Sequence, residues 1–466
     1  MIRALVLLAI AGSCVAEPIR LHPENPRYFE FRGKPAFLLT SAEHYGAVIN
    51  RAFDYRKYLD TLAADGLNYT RIFAGQYREV PGTFSIARNT LAPAEADFVA
   101  PYKQVGGKYD LTQWNPAFFD RLKDFVAEAG KRGIVVEVTL FCTFYQDRLW
   151  DLSPMNAKNN VQGIGKVGRE EPLTLKDPAL LKVQEAFVRK IVTELKDFDN
   201  VIYEICNEPY FAGVSPEWQR RISSIIVDTE KGLKTRHLIA QNIANHVADI
   251  RDPDPNVDIF NFHYARPPVA VARNWNLRKP IGYDESGFDG AHDSVYRIQA
   301  WDFLLAGGSL FNNLDYSFAV GYEDGTFEYP PSQPGGGSVQ YRKQLATLRR
   351  FLTSFDFIRM TPADNLIVSG VLREASARAL SQQDNAFAIY LHHGKVLRGY
   401  RPQYAVGTNE ERTALGLNLP AGSWRVRWWN PKTGKIDKEE TIEHGGGVAT
   451  LASPPYREDI ALELRK

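Results

Sequence analysis

Between about residues 36 and 355 the chain alternates short apolar runs with longer stretches of helical spacing. Eight runs stand out: AFLLTS (36–41), LNYTRIFA (67–74), IVVEVTLF (134–141), VIYEIC (201–206), HLIAQNI (237–243), DIFNFHY (258–264), PIGYDE (280–285) and SLFNNLDY (309–316). Their length and their β-branched and aromatic content predict buried strands. Between them, Phe118, Leu122, Phe125, Val126 and Ala129 share one helical face, as do Phe187, Ile191, Val192 and Leu195. Leu345, Leu348, Leu352 and Phe355 mark a last helix after the eighth run. Strand–helix alternation repeated eight times predicts an α/β fold, a parallel (β/α)8 TIM barrel spanning residues 17–355. An open doubly wound sheet usually carries a glycine-rich phosphate turn, and none is found. GGGS at 335–338 follows Pro334 in a loop, with no strand-to-helix turn to hold it.

Past Phe355 the pattern changes. Short runs such as AFAIYLHH (386–393) and WRVRWWN (424–430) are separated by turns rich in Pro, Gly and Asn. This predicts a small C-terminal β-sandwich domain over residues 356–466. Strand alternation should divide Trp424, Trp428 and Trp429 between core and surface.

The near-equal count of 56 basic and 55 acidic residues argues against broad electrostatic binding to nucleic acid or an anionic membrane. A monomer is expected. Residues 1–16, MIRALVLLAIAGSCVA, read as an export signal: Arg3 starts it, Ala4 to Ala11 form its apolar centre, and Ala16 precedes cleavage at Glu17. Lipoprotein anchoring through Cys14 is the weaker reading, because Ala11 stands where a larger aliphatic residue is usual. The expected location is secreted or periplasmic. The two remaining cysteines, Cys142 and Cys206, make no disulfide framework. Buried free thiols are expected, with one bridge between them as the alternative.

The chemistry concentrates in carboxylates. In such a barrel, function collects at the carboxyl ends of the strands. Glu208, in VIYEICNEPYF, falls at the end of the fourth strand, and Glu285, in PIGYDESGF, at the end of the seventh. A lone glutamate is ordinarily a solvated loop group. Two at strand ends on one rim form a natural pair for acid–base and nucleophilic work.

CNEP and DESG at these two places resemble the clan A glycoside hydrolases, especially the cellulase-type members of family five. The resemblance implies Glu208 as acid/base and Glu285 as nucleophile. It implies that Asn207 bonds the 2-hydroxyl of the sugar under attack and that Arg71, in LNYTRIF, holds Glu285 ionised. A structural ion pair between Arg71 and Glu204 is the competing reading. His263 and Tyr264, in FNFHYAR, resemble a histidine that reaches substrate and a tyrosine that supports the nucleophile. The sequence departs from the family at the third strand, where Phe141, Cys142 and Phe144 stand near the place of a usual histidine. It departs again at the eighth, where NNLDYSF replaces a usual tryptophan and Tyr316 offers a stacking platform.

Sugar rings present C–H faces to aromatic groups, so Tyr145, Trp150, Tyr210, Phe211, Tyr316 and Phe318 are candidate walls. Glu43 and His44, in SAEHYG, either bind a sugar hydroxyl or cap the next helix; no zinc motif is formed. DPDPNVD (252–258) reads as a solvated loop rather than a calcium site. WRVRWWNPKTGK and PPYREDIALEL resemble the small domain that carries a collagen-binding label in bacterial glycosidases, although packing or polysaccharide binding is the more economical role. The expected activity is retaining hydrolysis of β-glycosidic bonds in a polysaccharide or oligosaccharide, without metal or organic cofactor. Transglycosylation by the same pair, or a non-catalytic carbohydrate-binding barrel, are the alternatives.

Overall fold

The computed structural model describes residues 17–397 and 403–466. The predicted export signal, with Cys14, lies outside the described residues. Eight strands form one sheet: β1 (Leu38–Ala42), β2 (Tyr69–Phe73), β3 (Val135–Cys142), β4 (Val201–Asn207), β5 (Leu238–Asn245), β6 (Ile259–His263), β7 (Ile281–Ser286) and β8 (Leu310–Leu314). Neighbours pair in parallel from β2 through β8, and β8 pairs with β1. The TIM barrel expected from the alternation is therefore present, with each predicted run supplying one strand. At the seam between β1 and β2, a side chain stands in for the ladder. Asn68 Oδ1 accepts from Leu39 N at 2.9 Å, and Asn68 Nδ2 donates to Phe37 O at 2.9 Å. Three short antiparallel strands (Arg20–Leu21, Phe29–Phe31, Lys34–Ala36) pack Ile19 and Phe29 against Leu38, Tyr69, Val135 and Ile202, closing the amino-terminal end.

The outer helices are α1 (Tyr55–Ala64), α2 (Pro116–Lys131), α3 (Pro178–Leu195), α4 (Pro216–Thr229), α5 (Asp293–Leu305) and α6 (Val339–Thr353). Three of them start alike: Asn115, Asp177 or Ser215 caps the first turn and a proline follows. The cap satisfies orphan N–H groups, and proline has no N–H to leave unpaired. The predicted apolar faces of α2 and α3 are buried. Between β5 and β6, however, the described residues contain no helix, and β6 is followed by just the short helix Val269–Arg273 and a single 3-10 turn, Trp275–Leu277. Pro253 and Pro255 in the DPDP stretch deny a helix its backbone donors. The carboxylates of that loop are engaged by the protein itself. Asp258 pairs with Arg236 at 2.7 Å, and Asp254 accepts from Ser223.

The C-terminal region is β-rich, as expected. A six-stranded antiparallel sheet contains Ser376–Gln382, Ala386–His392, Asp459–Arg465, Gly422–Trp429 and Ile436–His444; a three-stranded one contains Ala414–Leu419 and Gly447–Ala452. Phe387, Ile389, Trp424 and Trp428 from the first meet Leu415, Leu417 and Leu451 from the second. The alternate positions, Ala388 and Tyr390, face the barrel. Alternation was expected to divide Trp424, Trp428 and Trp429 between core and surface, but all three are buried. Alternation along the strand turns the Trp429 ring onto Phe351 of α6, at 5.7 Å. The face that alternation sends outward is covered by the barrel rather than by water.

Candidate active site

At the carboxyl ends of β4 to β7 the strands cease to be regular. The ladder slips between Asn242 and Ala244, between Phe262 and His263, and between Tyr283 and Ser286. Bulges of this kind re-aim side chains. Of the non-glycine residues just past strand ends that take left-handed backbone, three lie around the site: Tyr45 (φ 70°), Glu208 (φ 48°) and Tyr264 (φ 50°). Such conformations persist only where surroundings enforce them. Glu208 is held by its own N–H, which donates to Asn242 Oδ1 at 3.0 Å. All three bring oxygen atoms to one spot.

There Glu208 and Glu285 face each other. A carboxylate oxygen of each and a ring nitrogen of His263 all lie within 4.8 Å of one another. The two carboxylates have different company. Glu285 accepts from Tyr264 Oη at 2.9 Å and Tyr45 Oη at 3.1 Å, and Arg71 Nη1 stands 3.6 Å away. Burial alone would raise its pKa, but the charges of His263 and Arg71 and the Tyr264 hydroxyl bring it well below the usual carboxylate range. Glu208 instead accepts from Tyr145 Oη and from Tyr210 Oη at 3.2 Å, and His263 Nδ1 lies 3.1 Å from it. No guanidinium pairs with Glu208 among the described residues.

Beneath the pair runs a buried polar layer. Arg71 is fully buried and grips Glu204 through two bonds of 2.6 Å, donates to Asn207 Oδ1 at 2.7 Å and to Tyr45 Oη at 3.0 Å. Both sequence readings of Arg71 thus describe it: an ion pair with Glu204 and a positive charge beside Glu285. Asp284 lies 3.6 Å from Arg71 and 3.4 Å from His263 Nε2. Desolvation works against a charge on His263, yet Glu285 and Asp284 raise its pKa well above the ordinary value. The imidazole is therefore a cation wedged under both glutamates. Glu137, Glu204 and Asp284 are spaced closely enough for a metal. Arg71 already supplies their positive charge, and burial together with Glu204 drives Glu137 toward its protonated form.

Above the pair lies a cavity of about 270 Å³ whose wall includes His44, Tyr145, Asn207, Phe211, Tyr264 and both glutamates. Several sequence candidates sit elsewhere. His263 is sealed off from solvent, so it braces the carboxylates instead of reaching a ligand. Tyr316 is buried edge-on against His44 at 4.1 Å, and Phe288 and Leu314 take the wall beside it. Gly335 lets this happen: a Cβ there would stand 1.4 Å from Gly287 O and 2.3 Å from the Tyr316 ring. Trp150 packs on Phe144 and donates to Val167 O at 2.9 Å, and Phe318 packs on Tyr58. Glu43 turns away from the cavity and accepts from the N–H groups of Gly46 and Ala47 at 3.1 and 3.2 Å, bracing the turn after β1, while the next helix is capped by Asp54 instead. Cys142 and Cys206 are free and buried, with Cys142 on the cavity wall. At the third strand, where a histidine was missed, Tyr145 reaches Glu208 and accepts from Asn207 Nδ2 at 2.9 Å.

Sequence reasoning missed Tyr45, Asn242 and a group from the long loop after β2, comprising Tyr77, Glu79, Phe84, Ile86, Asn89 and Leu91. Tyr45 adjoins His44 in SAEHYG, and its position at a strand end was the available signal. The loop residues carried none, since their placement depends on how the loop folds back. It does so over Gly46, where a Cβ would stand 2.3 Å from the Thr90 carbonyl carbon.

The family model described as cellulase, glycosyl hydrolase family 5, matches residues 33–280. A search of curated protein sequences found no match. Among solved structures, one described as a glycoside hydrolase aligns over 97% of this chain and 97% of its own, with a TM-score of 0.64 and 15% identity. A glycoside hydrolase family 5 protein from Bacteroides vulgatus aligns over 96% of this chain and 93% of its own, at 0.63 and 14%. A family 5 mannosidase from Rhizomucor miehei aligns over 74% of this chain and 100% of its own, at 0.50 and 13%. At these identities the structural likeness is one of fold.

Proposed function

The chain belongs to the cellulase family of glycosyl hydrolases, family 5, and from that premise we propose that it cleaves β-glycosidic bonds by double displacement with retention. Glu285 is the nucleophile and Glu208 the acid/base. The observation that carries this is that a carboxylate oxygen of Glu208 and one of Glu285 lie within 4.8 Å of each other, the close spacing of a retaining pair rather than the roughly 6.5–9.5 Å of an inverting one. The asymmetry around them assigns the roles. Glu285, beside Arg71 and under two tyrosine hydroxyls, is kept ionised and aimed. Glu208, which no guanidinium among the described residues pairs with, is the member left to serve as acid and base.

In the first step the Glu285 carboxylate attacks the anomeric carbon while Glu208 gives its proton to the departing glycosidic oxygen. Glu208, now ionised, takes a proton from water as that water attacks the glycosyl–enzyme ester, and Glu285 leaves as carboxylate. His263, as a cation touching both groups, offsets the negative charge that passes between them. Asn207 faces the cavity with its amide anchored by Arg71, in place to bond a sugar hydroxyl. We also read the protein as exported, on its leader, and the C-terminal sheets as a packing partner of the barrel.

The test is the stereochemistry and the mutants together. Proton NMR of the first product from an aryl β-glycoside should show the β-anomer, and Glu208→Gln and Glu285→Gln should each lose ~10³-fold or more in kcat with sugar binding kept. An α-anomer as first product, or near-normal turnover in either variant, would refute the mechanism.

A further inference from the structure

One carboxyl group in the cavity has no part in that mechanism. Glu79 comes from the loop after β2, is 6% exposed, and faces the same space as the catalytic pair. Tyr77 Oη donates to its Oε1 at 2.8 Å and Asn89 Nδ2 to its Oε2, so both oxygens are aimed. Across the same wall stands His44, 4% exposed, whose Nε2 is buried without a hydrogen-bond partner. A buried polar atom left unpaired is costly, so the ring is held on the wall by its packing rather than by a bond from Nε2.

The position of these groups relative to the pair matters. Glu208 protonates the leaving oxygen and so overlooks the bond to the departing group; its neighbours are Tyr145, Tyr210 and Phe211. Glu285 lies under the sugar being attacked, and its neighbour Tyr45 is adjacent in the chain to His44. Burial, and in smaller part the charge of Glu285, push Glu79 up to about 7, against the opposing bonds from Tyr77 and Asn89. Burial pushes His44 down to about 3, so it is a neutral imidazole.

Resting on the catalytic reading above, we propose that Glu79 and His44 form a specificity device that grips the hydroxyls of the sugar undergoing attack and selects a neutral glycone. A sugar hydroxyl can donate to one of these groups and accept from the other. A uronic acid would set a third carboxylate beside Glu79 and Glu285, and above about pH 7, where Glu79 is ionised, like charges in a dry site repel.

The experiment uses 4-nitrophenyl β-glycosides of glucose, mannose, galactose and xylose, the monodeoxy analogues of the best of them, and 4-nitrophenyl β-glucuronide. Wild type, Glu79→Gln, Glu79→Ala and His44→Ala are compared by kcat/KM. In parallel, a 2,4-dinitrophenyl 2-deoxy-2-fluoroglycoside of the preferred sugar is used to label the nucleophile. The expected result is a ~10–100-fold loss in Glu79→Ala on the parent glycoside. That loss should nearly vanish on the one deoxy analogue lacking the gripped hydroxyl, and Glu79→Gln should narrow the preference over the glucuronide. Label on Glu285 with equal losses on every analogue, or with losses under twofold, would overturn the role of Glu79 and leave the catalytic pair intact. Turnover or label that survives Glu285→Gln would overturn the catalytic reading, and with it the reason for seating a sugar there.

Discussion

At Glu285 three influences outweigh burial: the cation His263, the Arg71 guanidinium and the Tyr264 hydroxyl. Its folded pKa lies below the unfolded value, so the ionised carboxylate contributes stability above that unfolded value, and the contribution is lost as pH falls through the folded one. A nucleophile must be ionised, so the acid limb of kcat/KM should lie well below pH 4. Tyr264→Phe removes the 2.9 Å bond that favours the charged form. A hydrogen bond to a charged group is worth roughly 1.5–3 kcal/mol, which corresponds to a rise of about one pH unit or somewhat more in the acid limb. A pH–rate profile of the variant checks it, and an unmoved acid limb would mean that the hydroxyl only fills space. The pair itself was legible in the sequence because each glutamate closes a strand, and barrel topology carries strand ends to one rim. Glu79 was not, because its place follows from Thr90 packing on Gly46, a contact between segments with no shared periodicity.

The barrel's elements were legible because each strand is a compact apolar run, and α2, α3 and α6 each show an apolar face at helical spacing. The missing helix between β5 and β6 is explained by DPDP. The fate of Trp429 needed knowledge of which surface covers the outer face of its sheet. Less visible still was the seam. No strand ladder joins β1 to β2, and Asn68 supplies the bonds that a ladder would, one to the Leu39 N–H and one to the Phe37 carbonyl. Asn68→Ala leaves both groups unpaired beside a buried strand. The expected loss is roughly 1–3 kcal/mol, measured by chemical denaturation. Because β1 leads into the turn bearing His44 and Tyr45, and β2 carries Arg71, kcat should fall more than this stability loss alone explains. If Asn68→Ala matches wild type in denaturation midpoint, the seam is held by packing rather than by the amide.

Across the whole molecule, the outer face of the C-terminal sheet is bound to the two helices that follow β7 and β8. Trp301 of α5 stacks on Tyr390 at 5.2 Å. Beside them Arg297 of α5 holds Asp459 at 2.8 Å and Glu458 at 2.7 Å, donates to Gln344 of α6 at 2.9 Å, and shares Asp459 with the Tyr390 hydroxyl. Arg297 is 1% exposed, so the guanidinium is dry and fully committed to this junction. Breaking a buried pair from one side leaves the other charge uncompensated, at a cost of about 3–5 kcal/mol, whereas neutralising both sides costs less. Arg297→Met should therefore destabilise the entire chain, with the barrel and the sheets losing structure together in calorimetry. Adding Asp459→Asn should restore part of the loss, since Tyr390 can still donate to the amide oxygen. The same helix follows the strand that ends in Glu285, so thermal inactivation of hydrolysis should track the calorimetric transition in both variants. If instead the C-terminal sheets melted alone while the barrel kept its activity and its midpoint, the junction would be an attachment and not part of the barrel's own stability.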